Sequence, residues 1–157
     1  FTGAGSLAAG AVILAVASIC DSLDGSLARR TGTVSKFGAF LDSTLDRISE
    51  FAYFAALVIY YRGAGSTTMI LFSLAALAGS FLTSYTRARA EGLGLECAVG
   101  ILERPERIVL LAAGLLFGGR ILDVVIVLLA ILSIYTFIQR VLHVRSVTSG
   151  EGAPGEM

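Results

Sequence analysis

Charge is scarce in this sequence, and neither sign is in surplus. Only 15% of the 157 residues are charged, with 12 Lys and Arg set against 12 Asp and Glu. No overall field therefore points to nucleic acid as a partner, and the information lies in where the charges sit. Tryptophan is absent. Cys20 and Cys97 stand far apart without CxxC spacing, and the single histidine, His143, has no Cys or His neighbour, so neither a disulfide framework nor a zinc site is supported. There is no long-period repeat and no separate soluble domain. What remains is apolar: 55% of the residues are hydrophobic and the mean hydropathy is +0.82, too high for a soluble domain of this size. The chain reads as an integral membrane protein.

A helix crosses a bilayer with roughly 20 mostly apolar residues. Five segments meet that need, 5–28, 37–61, 67–90, 105–119 and 121–142, so the expected fold is all-α, a polytopic transmembrane helix bundle. Pro105 suits the first turn of the fourth helix, where its missing N–H costs nothing. In an up-and-down threading Arg29, Arg30, Lys36, Arg47, Arg87, Arg89, Arg104, Arg107, Arg140 and Arg145 fall on one side, leaving Arg62 and Arg120 on the other. The first side is expected to be cytoplasmic, because Lys and Arg concentrate there. Phe1 then starts outside without an initiator Met or leader, which leads us to expect an N-terminally truncated piece of a six-helix protein. We expect one membrane domain over 1–145 and a disordered cytoplasmic tail over 146–157. Gly114 and Gly118 form a GxxxG, and GAGSLAAG near the start is rich in small residues; both suit close helix packing and mark a candidate dimer interface.

The charges inside the apolar segments carry the chemistry. Asp21, Asp24, Gly25, Ala28 and Arg29 share one helix face by their spacing, as do Gly38, Asp42 and Asp46 on the next helix. TGTVS around Gly32 reads as the reversal between them. With the turn near Thr33, Asp24 and Asp42 each stand about 13 Å along their helices, and Asp21 and Asp46 lie about one turn beyond. Four carboxylates thus converge, and they would repel strongly unless cations joined them. A pair of hard divalent ions, Mg²⁺ or Mn²⁺, suits such an oxygen-rich site. Gly25 and Gly38 leave open surface beside it, and Arg29 lies one turn nearer the cytoplasm, where a phosphate would meet it. Metals, an arginine and open backbone together suggest diphosphate chemistry. The competing reading is a set of structural ion pairs or a cation or proton carrier. A carrier needs a path to both sides, and the outer halves of these helices show no comparable line of charge.

The stretch from Asp21 to Asp46 reads D-x2-D-G-x2-A-R-x8-G-x3-D-x3-D without departure and resembles the CDP-alcohol phosphotransferases. The resemblance implies a six-helix, usually dimeric membrane enzyme that displaces CMP from a CDP-linked lipid or alcohol. It assigns Asp21, Asp24 and Asp42 to two metals and makes Asp46 the general base and a further metal contact. Gly25, Ala28, Arg29 and Gly38, with Asp21 and Asp24, would shape the CDP pocket.

Arginines also appear at the inferred cytoplasmic ends of three successive helices, Arg87 in SYTRARAEG, Arg107 in ERPER and Arg140 in FIQR. The positive-inside rule alone explains part of this. Three together suit a phosphate dianion better than a neutral alcohol, so the acceptor is expected to be phosphorylated. LDSTLDRISE, SYTRARAEG and ERPER are similar to the phosphatidylinositol phosphate and archaetidylinositol phosphate synthases of that family. That similarity puts Ser84, Arg87, Arg107 and Arg140 in an inositol 1-phosphate pocket, although some relatives carry Lys at the position of Arg87. Glycerol 3-phosphate presents the same dianion, and phosphatidylglycerophosphate synthesis is the alternative. The expected setting is the cell membrane, with the site facing the cytoplasm. Glu50 continues the aspartate spacing by one more turn without an assigned role. Glu103 and Glu106 are expected to pair with neighbouring arginines, Asp123 with Arg120, while His143 and the tyrosines 53, 60, 61 and 135 read as packing or interfacial residues.

Overall fold

The structure, a computed structural model, describes residues 35–151 together with Gly10 and Val12. Apart from those two residues, the expected helix over 5–28 lies outside the described residues, and with it Asp21, Asp24, Gly25, Ala28 and Arg29. Among the described residues there are four helices and no strand: α1 (Lys36–Gly63), α2 (Thr67–Glu91), α3 (Arg104–Phe117) and α4 (Gly119–Glu151). Their limits follow local chemistry. The Ser35 hydroxyl accepts from the Gly38 amide at 2.9 Å and so caps a first-turn N–H that the helix itself leaves unbonded. Gly65 takes φ +71° in the short turn after α1, a conformation other residues rarely adopt. Pro105 lies in the first turn of α3, as expected.

Among the described residues, Gly79 and Gly114 mark places where the helices approach closely. A Cβ on Gly79 of α2 would lie 2.9 Å from the Ser133 Cβ of α4, so these two backbones meet where neither can carry bulk. Thr83, one turn on, bonds both the Gly79 carbonyl at 2.8 Å and the Ser133 carbonyl at 3.0 Å. A Cβ on Gly114 of α3 would lie 3.1 Å from Val125 of α4, and Gly118, at φ +63°, forms the reversal between the two helices. Gly114 of the GxxxG therefore serves the α3–α4 hairpin within the chain.

Three of the helices exceed the length a bilayer requires, and Thr67–Glu91 and Gly119–Ser149 are also apolar enough to cross one. α3, at 14 residues, spans only about 21 Å against a hydrocarbon core of about 30 Å. On α4 the large apolar residues Ile121, Val124, Leu128, Ile131 and Ile138 face outward while Ser133, Thr136 and Arg140 are buried. Apolar outside with polar inside is the reverse of a soluble helix and suits a lipid surround.

Two expectations change. α4 continues through Glu151, beyond the expected end at 142 and into the segment read as a disordered tail from 146. Its polar residues bond back to the helix: Ser146 to the His143 carbonyl, Thr148 to Val144 and Ser149 to Arg145, at 2.7 to 2.9 Å. Hydroxyls satisfied this way make a polar sequence compatible with continued helix. Asp123, expected to pair with Arg120, instead accepts from the Tyr61 hydroxyl at 2.7 Å.

Candidate active site

On α1 the four-residue spacing carries Gly38, Asp42, Asp46 and Glu50 along one face. The last of these enters the interior. Glu50 is fully buried, accepts from the Ser80 hydroxyl of α2 and lies 3.2 Å from Arg107 Nε of α3. Arg107 also donates from Nη1 to the Leu102 carbonyl at 3.3 Å and is itself 4% exposed. Its charge is thus fixed from behind. One turn nearer the α1 N-terminus, Asp46 meets Arg104, with Oδ1 2.6 Å from Nη2.

Arg140 is held by backbone. Its Nη1 donates to the Thr83 carbonyl at 2.7 Å and its Nε to the Val99 carbonyl at 2.8 Å. The second bond is one rung of a ladder that docks the segment 92–103 along α4. Above it the Leu102 amide donates to Thr136 Oγ1 at 3.3 Å, and below it His143 Nε2 lies 3.3 Å from the Glu96 carbonyl. Positions 136, 140 and 143 share one helix face, so a loop without regular structure satisfies its polar backbone on side chains. Gly100 allows the approach: its φ is +142°, and a Cβ there would lie 2.6 Å from Thr136 Cγ2.

These supports converge on one cavity of about 310 Å³. Asp46, Ser84, Arg87, Arg107 and Arg140 all line it, drawn from all four helices. Arg47 and Arg104 bring its arginines to five, against the three carboxylates of Asp46, Glu91 and Glu103. The positive excess suits a dianion, and the neighbouring carboxylate suits proton transfer. Arg87 is the most accessible arginine of the expected acceptor set, with its Nε 2.9 Å from Glu91 Oε1. A second groove, about 520 Å³ and lined by Ile48, Phe51, Phe81 and Tyr85, lies beside the first and shares Ser43, Arg47, Ser84 and Ala88 with it. A charged pocket thus adjoins an apolar one.

Asp46 and the three arginines expected at the site line one cavity, but the residues that support them were not anticipated. Glu50 was visible only as a continuation of the aspartate spacing. Arg47 and Arg104 were read as orientation signals, and Thr83 carried no signal. Glu103 does pair with arginines, Arg87 and Arg140. Gly38 sits in the capped first turn of α1, and Asp42 lies one turn before Asp46 on the same face. Among the described residues no three carboxylate, Cys or His side chains group as a metal site. Asp42 and Asp46, two hard oxygen donors one turn apart, nonetheless fit a share in binding a divalent ion.

Residues 1–145 match the family model described as CDP-alcohol phosphatidyltransferase, and the chain belongs to that family. Within it, the chain is 47% identical over 144 residues to the archaetidylinositol phosphate synthase of Methanothermobacter thermautotrophicus, covering 89% of this chain and 71% of that one. It spans about two thirds of the length of the curated relatives it matches. It is also similar to the crystal structure of Mycobacterium tuberculosis phosphatidylinositol phosphate synthase with CDP-DAG bound, with TM-score 0.83, 34% identity, and 96% of this chain and 77% of that one covered. The same enzyme in complex with manganese and citrate gives TM-score 0.81 at 35% identity, over 96% and 73% of the two chains.

Proposed function

We propose that this protein transfers a phosphatidyl-type group from a CDP-linked lipid, CDP-diacylglycerol or CDP-archaeol, to myo-inositol 1-phosphate with release of CMP, in phospholipid biosynthesis. The observation that carries the reading is the cavity in which Asp46 adjoins Ser84, Arg87, Arg107 and Arg140. The similarity to the archaetidylinositol phosphate synthase and the phosphatidylinositol phosphate synthase supports it.

In this reading Arg87, Arg107 and Arg140, with the Ser84 hydroxyl, hold the acceptor's phosphate. That anchorage turns a ring hydroxyl toward Asp46, which removes its proton. The freed oxygen attacks the lipid-side phosphorus of the diphosphate, the bond to the CMP oxygen breaks, and the lipid keeps the new phosphodiester in one in-line displacement. Asp21, Asp24, Gly25, Ala28, Arg29 and Gly38 form the CDP pocket. Asp21, Asp24, Asp42 and Asp46 would hold two Mg²⁺ or Mn²⁺ ions, which neutralise charge on the diphosphate and the departing CMP. The apolar groove beside the cavity accepts the donor's hydrocarbon chain, so a polar reaction proceeds at the edge of lipid. The membrane domain is residues 1–145, the enzyme a homodimer in the cell membrane, and the cavity faces the cytoplasm.

The test follows CMP release from membranes holding the intact protein, a CDP-activated lipid and Mg²⁺ or Mn²⁺, on addition of inositol 1-phosphate, glycerol 3-phosphate or free inositol. Release that requires inositol 1-phosphate and vanishes in Asp46→Asn meets the proposal. Release only with glycerol 3-phosphate replaces the acceptor with that of phosphatidylglycerophosphate synthesis, and release with none, in folded and metal-loaded protein, removes the enzymatic reading.

A further inference from the structure

The arginines of the cavity already face an anion. Glu103 Oε1 lies 3.6 Å from Arg87 Nη1 and 4.0 Å from Arg140 Nη2, so one carboxylate oxygen stands between guanidinium groups of α2 and α4. Glu103 occupies the N-cap of α3, where a side-chain oxygen ordinarily turns back to bond a first-turn amide. Its carboxylate makes no such bond and lines the cavity instead. The cavity arginines meet acids on several sides: Asp46 on Arg104, Glu50 on Arg107, Glu91 on Arg87, and Glu103 between Arg87 and Arg140. Glu50 and Glu103 differ in how they are held. Glu50 is sealed behind Arg107 with its side chain 0% exposed, whereas Glu103 is 45% exposed and touches Arg87 and Arg140 only at distances beyond a hydrogen bond. A half-exposed carboxylate held so loosely costs little to remove.

We propose that Glu103 holds the place of the acceptor's phosphate in the ligand-free protein, and that acceptor binding exchanges its carboxylate for phosphate oxygens on Arg87 and Arg140. The carboxylate offers those two arginines one oxygen and one charge. A phosphate monoester brings close to two charges and three acceptor oxygens, enough for direct charge-assisted bonds to both. Between turnovers Glu103 supplies the acidic oxygen beside Arg140, and the same oxygen is a second acidic neighbour for Arg87, whose Nε is already bonded to Glu91. The inference rests on the acceptor site proposed above.

Inorganic phosphate titrated calorimetrically into the intact protein in detergent, without CDP-lipid, isolates this exchange. Glu103→Gln should bind phosphate about twofold to fivefold more tightly, the range set by an exposed ion pair. Glu106→Gln removes the same charge from the exposed side of α3 and should change phosphate binding less. The KM for the acceptor should fall alongside in Glu103→Gln. Glu103→Asp, which keeps the charge but withdraws the oxygen by one methylene, should fall between and carries the test if the Gln variant does not fold. Unchanged or weaker phosphate binding in folded variants overturns the proposal, since Glu103 would then orient the arginines. Tighter phosphate binding in a protein that turns over only with glycerol 3-phosphate would support the exchange while removing inositol 1-phosphate as acceptor.

Discussion

The same helices build two unlike interiors. Toward the Gly118 turn the bundle is filled by Phe54, Leu57, Leu111, Leu115, Leu122 and Ile126, with the Tyr61–Asp123 bond as its main polar contact. Toward the 92–103 segment Ala90, Cys97, Leu102 and Ile108 are buried together with the polar Glu50, Ser80, Thr83, Arg107, Thr136 and Arg140. The apolar half is what close packing alone requires. The polar half is not, because burying charge is unfavourable unless every group is paired, and an apolar filling of equal volume would serve stability as well. Each of these polar side chains bonds or pairs with another group, although Glu50 Oε2 and Arg107 Nε make no hydrogen bond, and the arginines so held end at the cavity. The difference teaches that one half supports the fold and the other supports a site.

Substitutions at the two ends should separate accordingly. Asp46→Asn should lower acceptor-dependent CMP release by about 10²- to 10⁴-fold, the usual contribution of a positioned base, with a smaller loss of stability than Glu50→Ala because its partner Arg104 is less deeply buried than Arg107. Glu50→Ala leaves Arg107 buried without its counter-charge and should cost about 3–5 kcal/mol, read by thermal unfolding, with a raised acceptor KM in whatever protein remains folded. Gly100→Ala forces a side chain against Thr136 and into an unfavourable backbone conformation. A loss of about 1–3 kcal/mol is expected, accompanied by a higher KM as Arg140 loses its support. At the opposite end Asp123→Ala removes one hydrogen bond and should cost only about 1 kcal/mol, leaving KM unchanged. A change in KM from Asp123→Ala equal to that from Gly100→Ala would erase the distinction between the halves.

Much of this was legible in the sequence, for identifiable reasons. Hydropathy marked α1, α2 and α4 because their outward residues are apolar whatever the interior holds. The four-residue spacing marked Asp42 and Asp46, and ERPER marked the start of α3. What could not be read were contacts between distant segments. Nothing near Glu50 announces Arg107 or Ser80, and the docking of 92–103 on Thr136, Arg140 and His143 uses loop backbone, which has no sequence signature. The end of α4 was misjudged because polar composition resembles a tail even where hydroxyls bond back to the helix. GxxxG marked close approach without naming a partner, and within the chain Gly114 meets Val125 of the next helix.

The most direct measurement gives the protein, in membranes with CDP-lipid and divalent metal, inositol 1-phosphate carrying a labelled phosphate, and counts the label in the extracted lipid. The account predicts that the label enters the lipid as CMP appears, and that it stays in the aqueous phase with Asp46→Asn. Label remaining aqueous with the unaltered protein, while labelled glycerol 3-phosphate passes into lipid under the same conditions, would contradict it.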